Sequence, residues 1–199
     1  MWSRISLPLL VFSLGAVLCA SLAAAQDNAS GVTPALVDNK FVHQQFGDSC
    51  SLEPSFAPMV ADLNSDGVAD IVLVARCKNA LIDQGEKNYK VIDPMDSFYG
   101  YGNTAITTSF APDDPKLRGV ALLVIHGSGP DAWRSATPLA KFVIINIPVK
   151  TLTLKKMKVR RKKVVNAIYV EQASADEMTA VVLWDGKKYR YQPLGSSME

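Results

Sequence analysis

The chain has little of what usually marks a catalytic or nucleic-acid-binding protein. Of its 199 residues, two are histidine, His43 and His126, and three are cysteine. No Gly-x-Ser-x-Gly elbow presents a nucleophilic serine. Neither sign of charge dominates. Beyond Ala25, twenty Lys and Arg face nineteen Asp and Glu, one net positive charge. The overall charge therefore favours neither nucleic acid nor any other anionic partner. The apolar run from Ile5 to Leu18 is too short for a typical membrane span.

That run has another reading. Arg4 precedes it, and Ala23-Ala24-Ala25 stands before Gln26. The pattern predicts a secretory signal peptide over residues 1–25, cleaved near Ala25, and a secreted or periplasmic product. Leu18 before Cys19 disfavours lipidation, which would take a small residue there. Residues 26–39 are small and polar, with Pro34, and predict a flexible leader. A single β-rich domain is expected over 40–195. Two cysteines remain in the exported chain, Cys50 and Cys77. An even pair in an oxidising compartment predicts a disulfide.

Between those cysteines lies the densest chemistry. In Asp62-Leu-Asn-Ser-Asp-Gly-Val-Ala-Asp70, oxygen-bearing side chains occupy positions 1, 3, 5 and 9, and Gly67 occupies position 6. This is the front of an EF-hand-type calcium loop. Alternate residues of a tight turn point inward, and a hard cation relieves the repulsion of crowded carboxylates. Asp62, Asn64, Asp66 and Asp70 are the candidate side-chain ligands, with Val68 acting through its carbonyl. Position 12 is Leu73, not Glu, and the flanks Phe56–Ala61 and Ile71–Ala75 are rich in strand formers. A helix-loop-helix arrangement is therefore disfavoured.

Over residues 46–76 the chain resembles the FG-GAP/VCBS repeat family, whose signature is close to D-x-N-x-D-G-x-x-D followed by a strand. Phe46-Gly47 stands in the place of the family's Phe-Gly pair. The resemblance implies a calcium loop joining two strands of a propeller blade. One copy is present here, so a full propeller does not follow.

The remaining chain reads mostly as strands. Expected strands cover Lys40–Phe46, Thr104–Phe110, Val120–Ile125 (central and buried on both faces), Lys141–Ile147 and a pair within Thr151–Val170. Lys78–Asp93 predicts a short helix or an irregular connection. Phe98-Tyr-Gly-Tyr-Gly102 predicts a loop, either packed on the core or offered for sugar stacking. Trp184-Asp-Gly-Lys187 predicts a two-residue hairpin turn pairing Val182 with Tyr189 and Ala180 with Tyr191. Its core face would then hold Ala180, Val182, Trp184, Tyr189 and Tyr191. Asn166–Glu171 should pair with Thr179–Leu183, and Gly195–Glu199 should fray. The fold class is mostly β: eight to ten short antiparallel strands, a sandwich or a partial propeller-like array, with one short helix.

Two further stretches carry chemistry. His126-Gly-Ser-Gly129 follows a predicted strand and is similar to the oxyanion loop of α/β-hydrolases, where Ser128 and His126 would act. No strand–helix alternation accompanies it, and a glycine turn is the simpler reading. Lys155, Lys156, Lys158, Arg160, Arg161, Lys162 and Lys163 crowd into nine positions. They predict a solvated strand pair, or a patch for a membrane surface or another anionic partner. The expected function is a calcium-binding, non-catalytic β module with a protein or glycan ligand and no nucleic acid.

Overall fold

The computed structural model describes residues 37–100, 118–159, 163–173 and 178–196. These lie in one compact unit, residues 31–199. Among the described residues there are ten strands: β1 (Cys50–Leu52), β2 (Met59–Ala61), β3 (Asp70–Cys77), β4 (Lys90–Ile92), β5 (Val120–His126), β6 (Ala140–Ile144), β7 (Val149–Lys158), β8 (Val164–Gln172), β9 (Met178–Trp184) and β10 (Tyr189–Ser196). They form two sheets. One runs β1-β3-β5-β6-β4, with β2 sharing the β1 edge of β3, and the other runs β10-β9-β8-β7.

The two sheets pack face to face, so the fold is a sandwich and not a propeller blade. Every residue of β5 is buried. Its alternation divides two cores. Leu122 and Val124 join Val72, Val74, Phe142 and Ile144 against Ile168, Val170, Ala180 and Val182 of the second sheet. Leu123 and Ile125 join Ile71, Leu73 and Val143 on the other face, against Val42, Phe46 and Trp133.

That second face is covered by helices that sequence reasoning undercounted. Lys40–Phe46 is not a strand. It belongs to α1 (Asn39–Phe46), capped by the Asp38 carboxylate, which accepts from the Phe41 N–H at 2.8 Å. Val42 and Phe46, four apart, supply its buried stripe. The last three residues of the expected leader, Val37 to Asn39, thus belong to the folded domain, with Val37 packed against the core beneath α1, and residues 26–36 lie outside the described residues. Gln84–Lys87 forms α2, and Ala132–Arg134 a single 3₁₀ turn. The expected aromatic loop begins as α3 (Pro94–Tyr99), where Pro94 opens the helix and the Asp93 carboxylate accepts from the Asp96 N–H. Phe98 and Tyr99 are half exposed there and touch Tyr191. The expected strand Thr104–Phe110 falls outside the described residues. Not every pair is antiparallel: β4 runs parallel to β6. The β6 strand stops at Ile144, ahead of Asn146 with its φ of 63°.

The β8–β9 pairing is as expected, Ile168 opposite Val182 through Glu171 opposite Thr179. The β9–β10 register differs. Tyr189 pairs with Trp184, and Tyr191 with Val182, across a four-residue turn. Asp185 causes this. Its Oδ1 accepts from the N–H groups of both Lys187 and Lys188, and its own N–H donates to the Lys188 carbonyl. The shift is two residues, so the expected core face is preserved. Gly195 and Ser196, expected to fray, extend β10.

A disulfide joins Cys50, the first residue of β1, to Cys77, the last of β3; the two are register partners.

Candidate functional site

The Asp62–Asp70 loop leaves β2 and returns as β3, which pair directly. Three of its side chains fold onto its own amides. Asp62 accepts from the N–H of Asp66 at 3.1 Å and of Gly67 at 3.0 Å. Asn64 Oδ1 accepts from the Asp66 N–H, and Asp66 Oδ1 from the Val68 N–H at 2.8 Å. The Asn64 amide donates to Asp66 Oδ2 at 2.7 Å. Gly67 turns at φ 86°, a conformation L side chains resist. Each of these carboxylate and amide oxygens keeps lone-pair capacity beyond one hydrogen bond.

Asp70 differs from the others. It is fully buried. Its Oδ2 accepts from Leu63 N–H at 2.8 Å and Asn64 N–H at 3.3 Å, and its Oδ1 accepts from Gly127 N–H at 2.8 Å. Burial pushes its carboxyl up to about 6, and Asp66 adds to this, although the three N–H groups pull the other way. Asp70 therefore clamps the loop to the turn after β5. From the other sheet, Asn166 Nδ2 donates to the Asp62 carbonyl at 2.7 Å. Leu63, 1% exposed, fills the core between the sheets. The loop thus sits across the seam of the sandwich. Among the described residues, no three His, Cys, Asp or Glu side chains gather closely enough to hold a metal ion on their own. A cation here would draw on Asn64 and backbone oxygens as well.

The His126-Gly-Ser-Gly129 turn lies against this loop and does not assemble a nucleophile. His126 is buried, and its Nε2 hydrogen-bonds the Tyr189 hydroxyl at 2.7 Å. Phe142 and Trp184 pack on the imidazole at 5.1 and 5.0 Å between centroids. Burial lowers its pKa to about 4, despite the carboxylates of Asp66 and Asp62. Ser128 turns elsewhere, donating to the Thr137 carbonyl and bonding the Ser135 hydroxyl. The amides an oxyanion would need are engaged: Gly127 N–H on Asp70, and Ser128 N–H on the Ala132 carbonyl. Gly127 has a packing reason. A Cβ there would lie 2.4 Å from the Ala69 carbonyl oxygen and 2.7 Å from the Trp133 nitrogen.

Of the basic run, Lys155, Lys156 and Lys158 lie on β7, and Lys163 directly precedes β8; all four are exposed. Arg160, Arg161 and Lys162 fall outside the described residues. Sequence reasoning missed the cluster of His126, Phe142, Trp184 and Tyr189, and also Asn166. No short-range pattern connects residues so far apart in the chain.

Fold and site together define a mostly β sandwich with a polar Asp/Asn loop wedged at its seam. Compared with known proteins, no family profile, curated protein or solved structure matches the chain.

Proposed function

We propose that this chain is an exported, calcium-stabilised β domain that acts in binding or adhesion, without catalysis. One observation carries the reading: Asp62, Asn64 and Asp66 turn their oxygens into a single bend, at the spacing a hard cation selects. The resemblance of the loop to the FG-GAP/VCBS signature supports it. In this reading Asp62, Asn64 and Asp66 bind the ion through side chains and Val68 through its carbonyl. Asp70, already tied to three N–H groups, contributes through a bridging water, as position 9 of such loops often does. The ion offsets the repulsion between the Asp62 and Asp66 carboxylates and stiffens the wedge between the sheets.

Extracellular calcium modules work with Kd values on the order of 10⁻⁴ to 10⁻³ M. At ten times Kd, calcium would add about 1.4 kcal/mol to stability. The test is a melting curve of the chain lacking residues 1–25, in calcium and in chelator, repeated for Asp66→Ala. Calcium should raise the melting temperature of the wild type and leave that of the variant unmoved. An identical wild-type curve in both conditions overturns the proposal.

A further inference from the structure

Three polar side chains meet at one end of the first sheet, and none of them belongs to the Asp62–Asp70 loop. Strands β4 and β6 run parallel, and their pairing continues one step past β6, where the Ile145 N–H donates to the Ile92 carbonyl at 3.0 Å. The next residue of each segment, Asp93 and Asn146, therefore leaves the sheet beside the other. Asn146 Nδ2 donates to Asp93 Oδ2 at 2.5 Å. Asn146 turns at φ 63°, a conformation that asparagine tolerates better than most residues. Helix α3 starts directly after Asp93 and carries Asp96 in its first turn. The Asp62–Asp70 loop lies toward the other end of the sheet: Asp70 opens β3 opposite the end of β5, whereas Ile144 pairs with Leu122 near the start of β5.

Both carboxylates are buried, Asp93 at 1% exposure and Asp96 at 5%. Asp93 has a structural duty, since its Oδ1 caps α3 by accepting the Asp96 N–H at 2.8 Å. Asp96 Oδ1 has no such duty. It is sealed from solvent and has no hydrogen-bond partner. Among the described residues, neither carboxylate forms an ion pair with Lys, Arg or His. Burial pushes the Asp93 carboxyl up, the Asp96 N–H and the Asn146 amide pull it down, and the charge on Asp96 pushes it up again. That last effect requires the two carboxylates to lie close together. A buried carboxylate oxygen without a partner is costly unless something positive sits against it. Asn146 is only partly buried, so the cluster reaches solvent on that side.

We propose that Asp93, Asp96 and Asn146 form a second cation site, separate from the Asp62–Asp70 loop, that takes a hard divalent ion such as calcium or magnesium. Asp93 and Asp96 supply the charge, and a half-turn of the Asn146 amide supplies a neutral oxygen. Water fills the remaining positions. The set offers no imidazole or thiolate, so it does not favour softer metals. The ion ties α3 to the ends of β4 and β6.

The test is isothermal titration of the purified protein with calcium chloride and, separately, with magnesium chloride, with folding checked by circular dichroism. Asp96→Asn keeps the side chain's shape and removes its charge. It should lower the number of ions bound by one. The double variant D62A/D66A, which disables the loop, should keep one binding event, and adding Asp96→Asn should abolish it. Asn146→Gly retains the backbone turn without the amide and should weaken that event about tenfold or more. The wild type and Asp96→Asn binding equal numbers of both ions overturns the proposal, and this comparison stands even where D62A/D66A does not fold. An event lost in Asp66→Ala but kept in Asp96→Asn leaves the loop as a cation site and removes this one. The reverse pattern keeps this site and removes the loop.

Discussion

Strands β5 and β7 sit in the same domain and are built by opposite rules. β5 is buried at all seven positions, with one core on each face. β7 buries Val149 and Leu152 and exposes six of its ten residues. The first therefore reads as an unbroken apolar run and the second as an alternation overlaid with charge. Place in the sheet, more than strand propensity, decides what each residue contributes.

That contrast can be broken most directly at Leu123. It is 0% exposed and faces Val42 and Phe46 of α1. Leu123→Ala should cost about 4 kcal/mol, as cavity-forming changes in tight cores do. Urea denaturation monitored by circular dichroism measures it. A loss below about 1 kcal/mol would mean that the helical cover closes onto the gap and that the two-sided core is not tightly built.

The seam between the sheets offers a sharper test, through pH. His126 has a folded pKa lowered from 6.5 to about 4. Its contribution to stability is present above 6.5 and lost as pH falls through about 4. Asp70 has a folded pKa raised from 3.8 to about 6. Its contribution is present below 3.8 and lost as pH rises through about 6. Each shift corresponds to about 3 kcal/mol, with opposite sign. In chelator the two should nearly cancel between pH 6 and 4. Relative to wild type, His126→Gln should gain stability on acidification over that window, and Asp70→Asn should lose it. Parallel pH profiles for all three proteins would refute the assignment.

The smallest effect belongs on the exposed side of β7. Thr153→Ala, at an exposed position opposite Tyr169, should change stability by no more than about 0.5 kcal/mol. A larger loss in the same denaturation experiment would place a packing partner over that face.

The same contrast explains what could be read from the sequence. Strands with a continuous apolar run or a clean alternation were legible: β3, β5 and the β8–β9 pairing followed from pattern alone. The helical cover was harder. Val42 and Phe46 are spaced for a helix, but the segment is short and its cap, Asp38, falls where the small polar leader was expected to run. A usable signal did exist at α3, since Asp93 before Pro94 marks a helix start. The hairpin register turned on the Asp185 carboxylate capturing two amides, a choice that Asp-Gly alone does not reveal.

At the loop, spacing located the cluster of Asp62, Asn64 and Asp66 but not the separate role of Asp70. Its clamp on Gly127 spans 57 residues of chain, and local sequence does not encode such a contact. For the same reason the sequence, though it favours a plain glycine turn over an oxyanion loop at His126-Gly-Ser-Gly129, does not say what His126 itself touches. Its actual neighbours, Tyr189 and Trp184, arrive from the second sheet.

The Cys50–Cys77 crosslink governs how the domain would bear tension. A pull on the N-terminal side reaches β1 through α1, and at Cys50 the covalent rung passes it to the end of β3. That strand is held by β1 and β2 on one side and by β5 on the other. A load directed along β3 meets the ladder bonds of all three neighbours together. Without the rung, β1 could peel away one bond at a time. Reduction would thus leave the three-residue ladder of β1, in place of a covalent bond, to pass that load to β3.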